Sequence, residues 1–221
     1  MKEIYDFLVG LEANNNKAWF DENRERYQQT RQQFLHLTEL LINEIRSFDP
    51  EIPFLYPKKC VFRIFRDVRF SNDKRPYKNN YGTFIARDGR KGGSPGYYLH
   101  IQPGASFLGG GIYMPDTEKL KAIRSEIYHH PEDFAELIND ETFSQHFELY
   151  SDDKLKTAPK GFPKDFEYID WLRYKSYATI CPLSDEQLLS SDLLSFILNR
   201  FKLLSSFNHF LNHAIDQYKM S

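Results

Sequence analysis

The chain has 221 residues, with 29 Lys and Arg against 31 Asp and Glu for a formal charge of −2, and 41% of it is hydrophobic. That length and composition suit one large domain or two small ones, with a core that needs no disulfide or metal staples. Two cysteines far apart in apolar runs, Cys60 and Cys181, exclude a disulfide scaffold and any zinc-type CxxC spacing, and they point to a reducing compartment.

The opening MKEIYDFLVGLE lacks the long apolar run and the cleavage site of a signal peptide. No run of about 18 apolar residues occurs anywhere, so the chain reads as a soluble cytoplasmic protein with no membrane partner. Ile4, Phe7, Leu8 and Leu11 fall at helical spacing and predict a first helix with one apolar stripe. Asn14-Asn15-Asn16 breaks it and offers caps for a second, predicted from Lys17 to Phe48. Phe20, Tyr27, Phe34, Leu41 and Phe48 recur along that helix and turn it toward a core. Asp49-Pro50 ends it, and Pro53 and Pro57 keep the following linker extended.

Strands are expected next. Cys60 to Phe65 alternates with large groups on both faces, and Tyr81–Arg87, Tyr97–Gln102 and Phe107–Tyr113 follow. Between the first two lies a long polar connection, Phe70 to Tyr81, of a length that functional loops often have. Asp116 and Pro131 open two further helices, residues 148–165 are irregular, and Phe166–Leu172 is helical. Lys175–Pro182 is strand-like, Ser184 or Asp185 caps a short helix, and Ser191–Tyr218 closes the chain as a helix with a kink expected at Ser205-Ser206.

Charge is distributed unevenly along this order. Lys58 to Lys91 carries 11 basic residues and 3 acids, so it is +8 while the remainder is −10. Such asymmetry speaks to partners, and here it favours an anionic ligand at the centre of the chain. A solvated basic surface is the plain alternative, because Asp67 and Asp73 could each neutralise an arginine.

The residues able to act on an anion lie in three groups. Arg63, Arg66 and Arg69 are guanidinium forks matched to carboxylate or phosphate oxygens, and Lys74, Tyr77 and Lys78 follow them in the loop. In GYYLHIQP, alternation puts Tyr98, His100 and Gln102 on one face and Leu99 and Ile101 on the other. In SFLGGGIY, Gly109, Gly110 and Gly111 mark a close approach of backbone or ligand inside a strand. Together they describe a shallow groove, with a bulge and a structural His100 hydrogen bond as the plain alternative. Neither GxxxxGK[ST] nor GxGxxG occurs, no motif names a cofactor, and no HExxH, GxSxG or paired-His motif is present. The pair His129-His130 sits at a helix end and makes a poor metal site.

The string RIFRDVRFS from Arg63 to Ser71, continuing through Lys74, Pro76-Tyr77-Lys78 and Gly82, resembles the domain of unknown function 2461 family. The likeness extends through GYYLHI, GGGIYMP, Leu120 to Ile127, the opening FLVGLEANNNKAWFDENRERY, and the later KSY and PLSDEQLL, so it covers essentially the whole chain. The resemblance implies a single domain and brings no activity, cofactor or catalytic residue with it.

These readings predict a single α+β domain over residues 1–221. It is helical over 1–50, has a mainly antiparallel sheet of about five strands built from 58–114 plus 175–182, and is helical again over 116–174 and 184–218. Helices from both termini pack on the sheet. The expected function is binding of a small anion, phosphorylated or nucleotide-like, at Arg63, Arg66, Arg69, Lys74, Tyr77, Lys78, Tyr98, His100 and the three glycines. The alternative is an enzyme on such a ligand with His100 as acid or base. Nucleic-acid association ranks lower, because a pI of 6.4 and the −10 remainder oppose a long polyanion. His100 is expected to be neutral at pH 7 through nearby arginines.

Overall fold

A computed structural model describes residues 1–220. Helix α1 (Lys2–Ala13) buries the stripe Ile4, Phe7, Leu8 and Leu11. The Asn16 side chain then accepts from the Trp19 N–H and starts α2 (Lys17–Glu22). The helix expected to run unbroken to Phe48 stops at Asn23 and resumes as α3 (Arg24–Phe48). Asn23 is the cause. Its side-chain amide donates to the Trp19 carbonyl at 2.9 Å, the kind of local bond by which Asn competes with helical backbone.

One turn of helix, α4 (Pro57–Cys60), precedes the loop region. The strand expected at Cys60–Phe65 is absent as a continuous element. Cys60 closes α4, and only the isolated bridges Val61↔Thr83 and Phe65↔Tyr77 remain. Pro57 at the first helical position organises the turn. Phe62 donates to Gly82, Lys78 to Ile64 and Arg66 to Pro76, and Pro76 has no N–H to return. The ladder is therefore intermittent.

The regular strands are β1 (Tyr81–Ala86), β2 (Gly96–Ile101), β3 (Ser106–Ile112), β4 (Glu148–Leu149) and β5 (Tyr177–Leu183). They form one antiparallel sheet in the order β1-β2-β3-β5-β4. The two residues of β4, Glu148 and Leu149, pair antiparallel with Ile180 and Thr179 of β5 inside a stretch that reads as irregular from sequence. Between β3 and β5 lie α5 (Thr117–His129), α6 (Pro131–Asn139), α7 (Glu141–Ser144) and α8 (Ile169–Leu172). After β5 come α9 (Asp185–Leu189), opened by a Ser184–Gln187 capping box, and α10 (Leu193–Met220). Helix α10 runs through Ser205-Ser206 as one element, with the Ser205 hydroxyl donating to the Lys202 carbonyl.

By contact the chain divides into two compact units. Met1–Ile85, Tyr98–Leu108 and Pro182–Leu198 form the first; Ala86–Tyr97, Gly109–Cys181 and the chain from Asn199 onward form the second. The first unit is centred on aromatic stacking, with Tyr81 against Phe34 and Phe7 and the Tyr81 hydroxyl 3.0 Å from Thr30 Oγ1. In the second, Phe134 meets Trp171, Tyr177, Phe207 and Phe210, while Tyr97 packs on Phe201. No helix among the described residues is long and apolar enough to cross a membrane.

Candidate functional site

Strand β2 and the residue after it leave Tyr98, His100 and Gln102 half-buried on one face and bury Leu99 and Ile101 fully on the other, as period-two alternation requires. The three polar side chains are joined. The Tyr98 hydroxyl lies 2.9 Å from His100 Nδ1, and His100 Nε2 lies 3.1 Å from Gln102 Oε1. Asn80 Nδ2, a donor only, also faces Nδ1 at 3.4 Å. Nδ1 must therefore accept, Tyr98 donates its hydroxyl proton to it, and the ring proton sits on Nε2 and is donated to Gln102. The imidazole stacks on Phe107 of β3 with centroids 4.6 Å apart and planes at 16°.

Lys78 completes this face. Its Nζ lies over the Phe62 ring at 5.3 Å, and Phe62 meets Tyr98 edge-on at 6.1 Å. Burial pushes the His100 pKa down, the Gln102 hydrogen bond opposes this, and the Lys78 charge adds to the downward shift. The imidazole is neutral at pH 7 as expected, though burial and a lysine are responsible where arginines were expected. Burial alone raises the Tyr98 phenol to about 12. Gly82 makes room for the arrangement, since a Cβ there would sit 2.9 Å from the Tyr98 hydroxyl.

The other residues singled out from sequence are placed elsewhere. Arg66 Nη1 contacts Asp73 at 2.6 Å, Arg75 grips the same carboxylate at 2.8 Å, and Arg69 pairs with Asp67 at 2.7 Å. Asp73 is held well below the usual carboxylate range by its bonds from Arg75 first and then from Arg66. Hydrogen bonds from Arg69 also lower the Asp67 carboxyl, with a smaller contribution from the charge of Arg63, which is exposed. Lys74 donates to the Val68 carbonyl at 3.2 Å. These contacts tie residues 66–75 into a stiff loop.

Tyr77 belongs to the core of the first unit. It is 6% exposed, stacks on Phe20 at 3.9 Å, and exchanges reciprocal backbone hydrogen bonds with the Asn15 side chain. Gly109 is buried in β3. Gly110 answers to α10, while a Cβ on Gly111 would meet the Tyr177 carbonyl of β5 first and then Phe207 of α10. A Cβ on Gly110 would lie 2.8 Å from Leu204, and Gly111, at φ +85°, donates its N–H to Asn208 Oδ1 at 2.8 Å. The structure therefore brings together Lys78, Tyr98 and His100. The sequence reading missed their partners Asn80, Phe62 and Phe107; the Asn79-Asn80 pair just before β1 was the available signal for the first.

Among the described residues no group of three or more His, Cys, Asp or Glu is placed to hold a metal ion. The fold is an α+β arrangement with a basic loop and a polar strand face, which defines a class of architecture and no chemistry by itself. The chain belongs to the family described as conserved hypothetical protein (DUF2461), whose model matches residues 3–210. No curated protein and no solved structure matches it.

Proposed function

We propose that the protein binds a small anionic ligand, of the phosphate or nucleotide class, on the face formed by Lys78, Asn80, Tyr98 and His100. The observation that supports this most directly is the pairing of the Lys78 ammonium with a half-buried, neutral imidazole whose two nitrogens are both oriented by hydrogen bonds. Lys78 supplies charge, and the Asn80 amide, with a second N–H beyond the one that faces Nδ1, supplies a donor beside it. The extended segment bearing Arg63 is joined to this one through the Lys78 N–H and the Ile64 carbonyl, and it adds to the positive field.

A second reading makes His100 a general base. The lowered pKa favours it, because the ring is unprotonated at neutral pH. Both ring nitrogens are already engaged in this state, so binding is the simpler role. The test is thermal stability in phosphate and in chloride at matched ionic strength. Phosphate should raise the midpoint of the parent, by about 2.7 kcal/mol of stabilisation at 100 times its dissociation constant. Lys78→Ala should lose that difference, whereas Lys202→Ala in the second unit should keep it. Equal midpoints in the two salts for the parent would sink the proposal.

A further inference from the structure

We propose that the loop 66–75 docks into an acidic groove on a second copy of this chain. Phe70 is 96% exposed at the tip of that loop, the most exposed large hydrophobic side chain among the described residues. A single exposed apolar side chain is ordinary, but an aromatic ring carried by a charged, internally bonded loop has the make-up of an interface anchor. The loop is built to present it. Arg66 and Arg75 clamp Asp73, Arg69 clamps Asp67 and spans 5.9 Å to the Phe70 ring, and Lys74 and Ser71 both donate to the Val68 carbonyl. A pre-ordered loop loses little conformational freedom on docking.

The complement lies in the second unit. A groove of about 560 Å³ runs between α6, α7 and α10. Leu137, Phe143, Leu203 and Phe207 give it an apolar floor, and Asp133, Glu136 and Asp140 line it with carboxylates against the single cation Lys202. The groove therefore carries −2, and the loop, with Arg66, Arg69, Lys74 and Arg75 against Asp67 and Asp73, carries +2. Phe70 suits the floor, and Arg69 and Lys74 suit the carboxylate wall. Opposite charge of equal size, around an apolar peg and an apolar hole, selects a second copy as the occupant. Because peg and hole are different surfaces, the contact is heterologous: it closes if it is reciprocal and otherwise extends into longer assemblies.

Sedimentation velocity on the full chain across concentration tests this. The parent should gain mass with concentration, and less so at high salt. Phe70→Ser and the double variant Asp133→Lys, Glu136→Lys change exposed side chains only, and each should weaken association at least about tenfold, as loss of a central aromatic anchor does. The decisive arm mixes the two. The first variant retains the groove and the second retains the loop, so together they make one contact and should form a 1:1 dimer that grows no further. A parent that stays monomeric at every concentration, or variants that fail to combine, would overturn the proposal. If Phe70→Ser instead weakens retention on a polyanion column while the parent is monomeric, the loop serves a different partner and the proposal also fails.

Discussion

Gly110 offers the sharpest check on how the second unit is packed. A Cβ added there would lie 2.8 Å from Leu204 Cδ1, 3.0 Å from Cδ2 and 3.2 Å from Cγ. Carbon atoms in good contact stand about 3.5–4.0 Å apart, so the nearest overlap approaches ~1 Å. Leu204 is fully buried on α10 and cannot swing into water. Overpacking of this sort costs about 1–3 kcal/mol, and replacing glycine with alanine returns about 0.4–1 kcal/mol by restricting the unfolded chain. Gly110→Ala should therefore destabilise by about 1–2 kcal/mol, and Gly110→Val by more. At about 2–4 °C per kcal/mol for a chain of this size, the alanine variant loses roughly 2–8 °C. Urea denaturation should show a lower midpoint with an unchanged slope. Leu204→Ala alone should cost about 2–5 kcal/mol by leaving a cavity. Added to it, Gly110→Ala should cost nothing or stabilise, giving a coupling of about 1 kcal/mol or more. Additive costs would refute the contact, and an alanine variant as stable as the parent would refute the overlap.

Two further predictions concern the β2 face. Because the folded pKa of His100 lies below its unfolded value of about 6.5, the neutral ring contributes stability that is complete above that pH and is lost as pH falls through the folded pKa. Parent and His100→Gln should therefore differ in the pH dependence of their midpoints on the acid side of about 6.5, and parallel curves there would contradict the assignment. Tyr98→Phe removes the donor that holds Nδ1 as an acceptor, so the His100 pKa should rise, and Gly82→Ala should move it the same way by displacing the Tyr98 hydroxyl. An NMR titration in which Tyr98→Phe lowers that pKa would place the proton on Nδ1, and an unchanged pKa would refute the bond.

Local pattern carried far in this sequence where one physical rule acted alone. The stripe Ile4, Phe7, Leu8 and Leu11 predicts α1 because only a helix brings those positions to one face. The alternation in GYYLHI likewise gives the polar and buried faces of β2 correctly. Where two rules competed, the pattern misled. Cys60 to Phe65 looks like a strand by alternation, yet Pro57 starts a helical turn and Pro76 on the pairing segment breaks the ladder. Asn23 is a single polar residue in a strong helical pattern, and its side-chain bond to Trp19 becomes visible only in three dimensions.

The candidate site was legible to the same degree. The glycine run at 109–111 announces a close approach, but nothing in it says that the approaching groups are Leu204 of α10 at Gly110 and the Tyr177 carbonyl of β5 at Gly111, both far along the chain. The excess of positive charge from Lys58 to Lys91 is real, while the acids that hold Arg66 and Arg69 sit within a few residues of them and divert them from the β2 face. Lys78 reaches that face because its N–H is anchored to Ile64 while its side chain crosses Phe62, a placement set by the bridges and invisible in spacing.

The most direct measurement is the NMR spectrum of the His100 ring during a phosphate titration at pH 7, in the parent and in Lys78→Gln. Binding at the Lys78–His100 face predicts a saturable shift of the His100 ring resonances in the parent, larger than that of exposed His36 on α3, and its loss in the variant. A His100 signal that does not move while phosphate stabilises the protein, or one that moves equally in both proteins, would put the anion somewhere else.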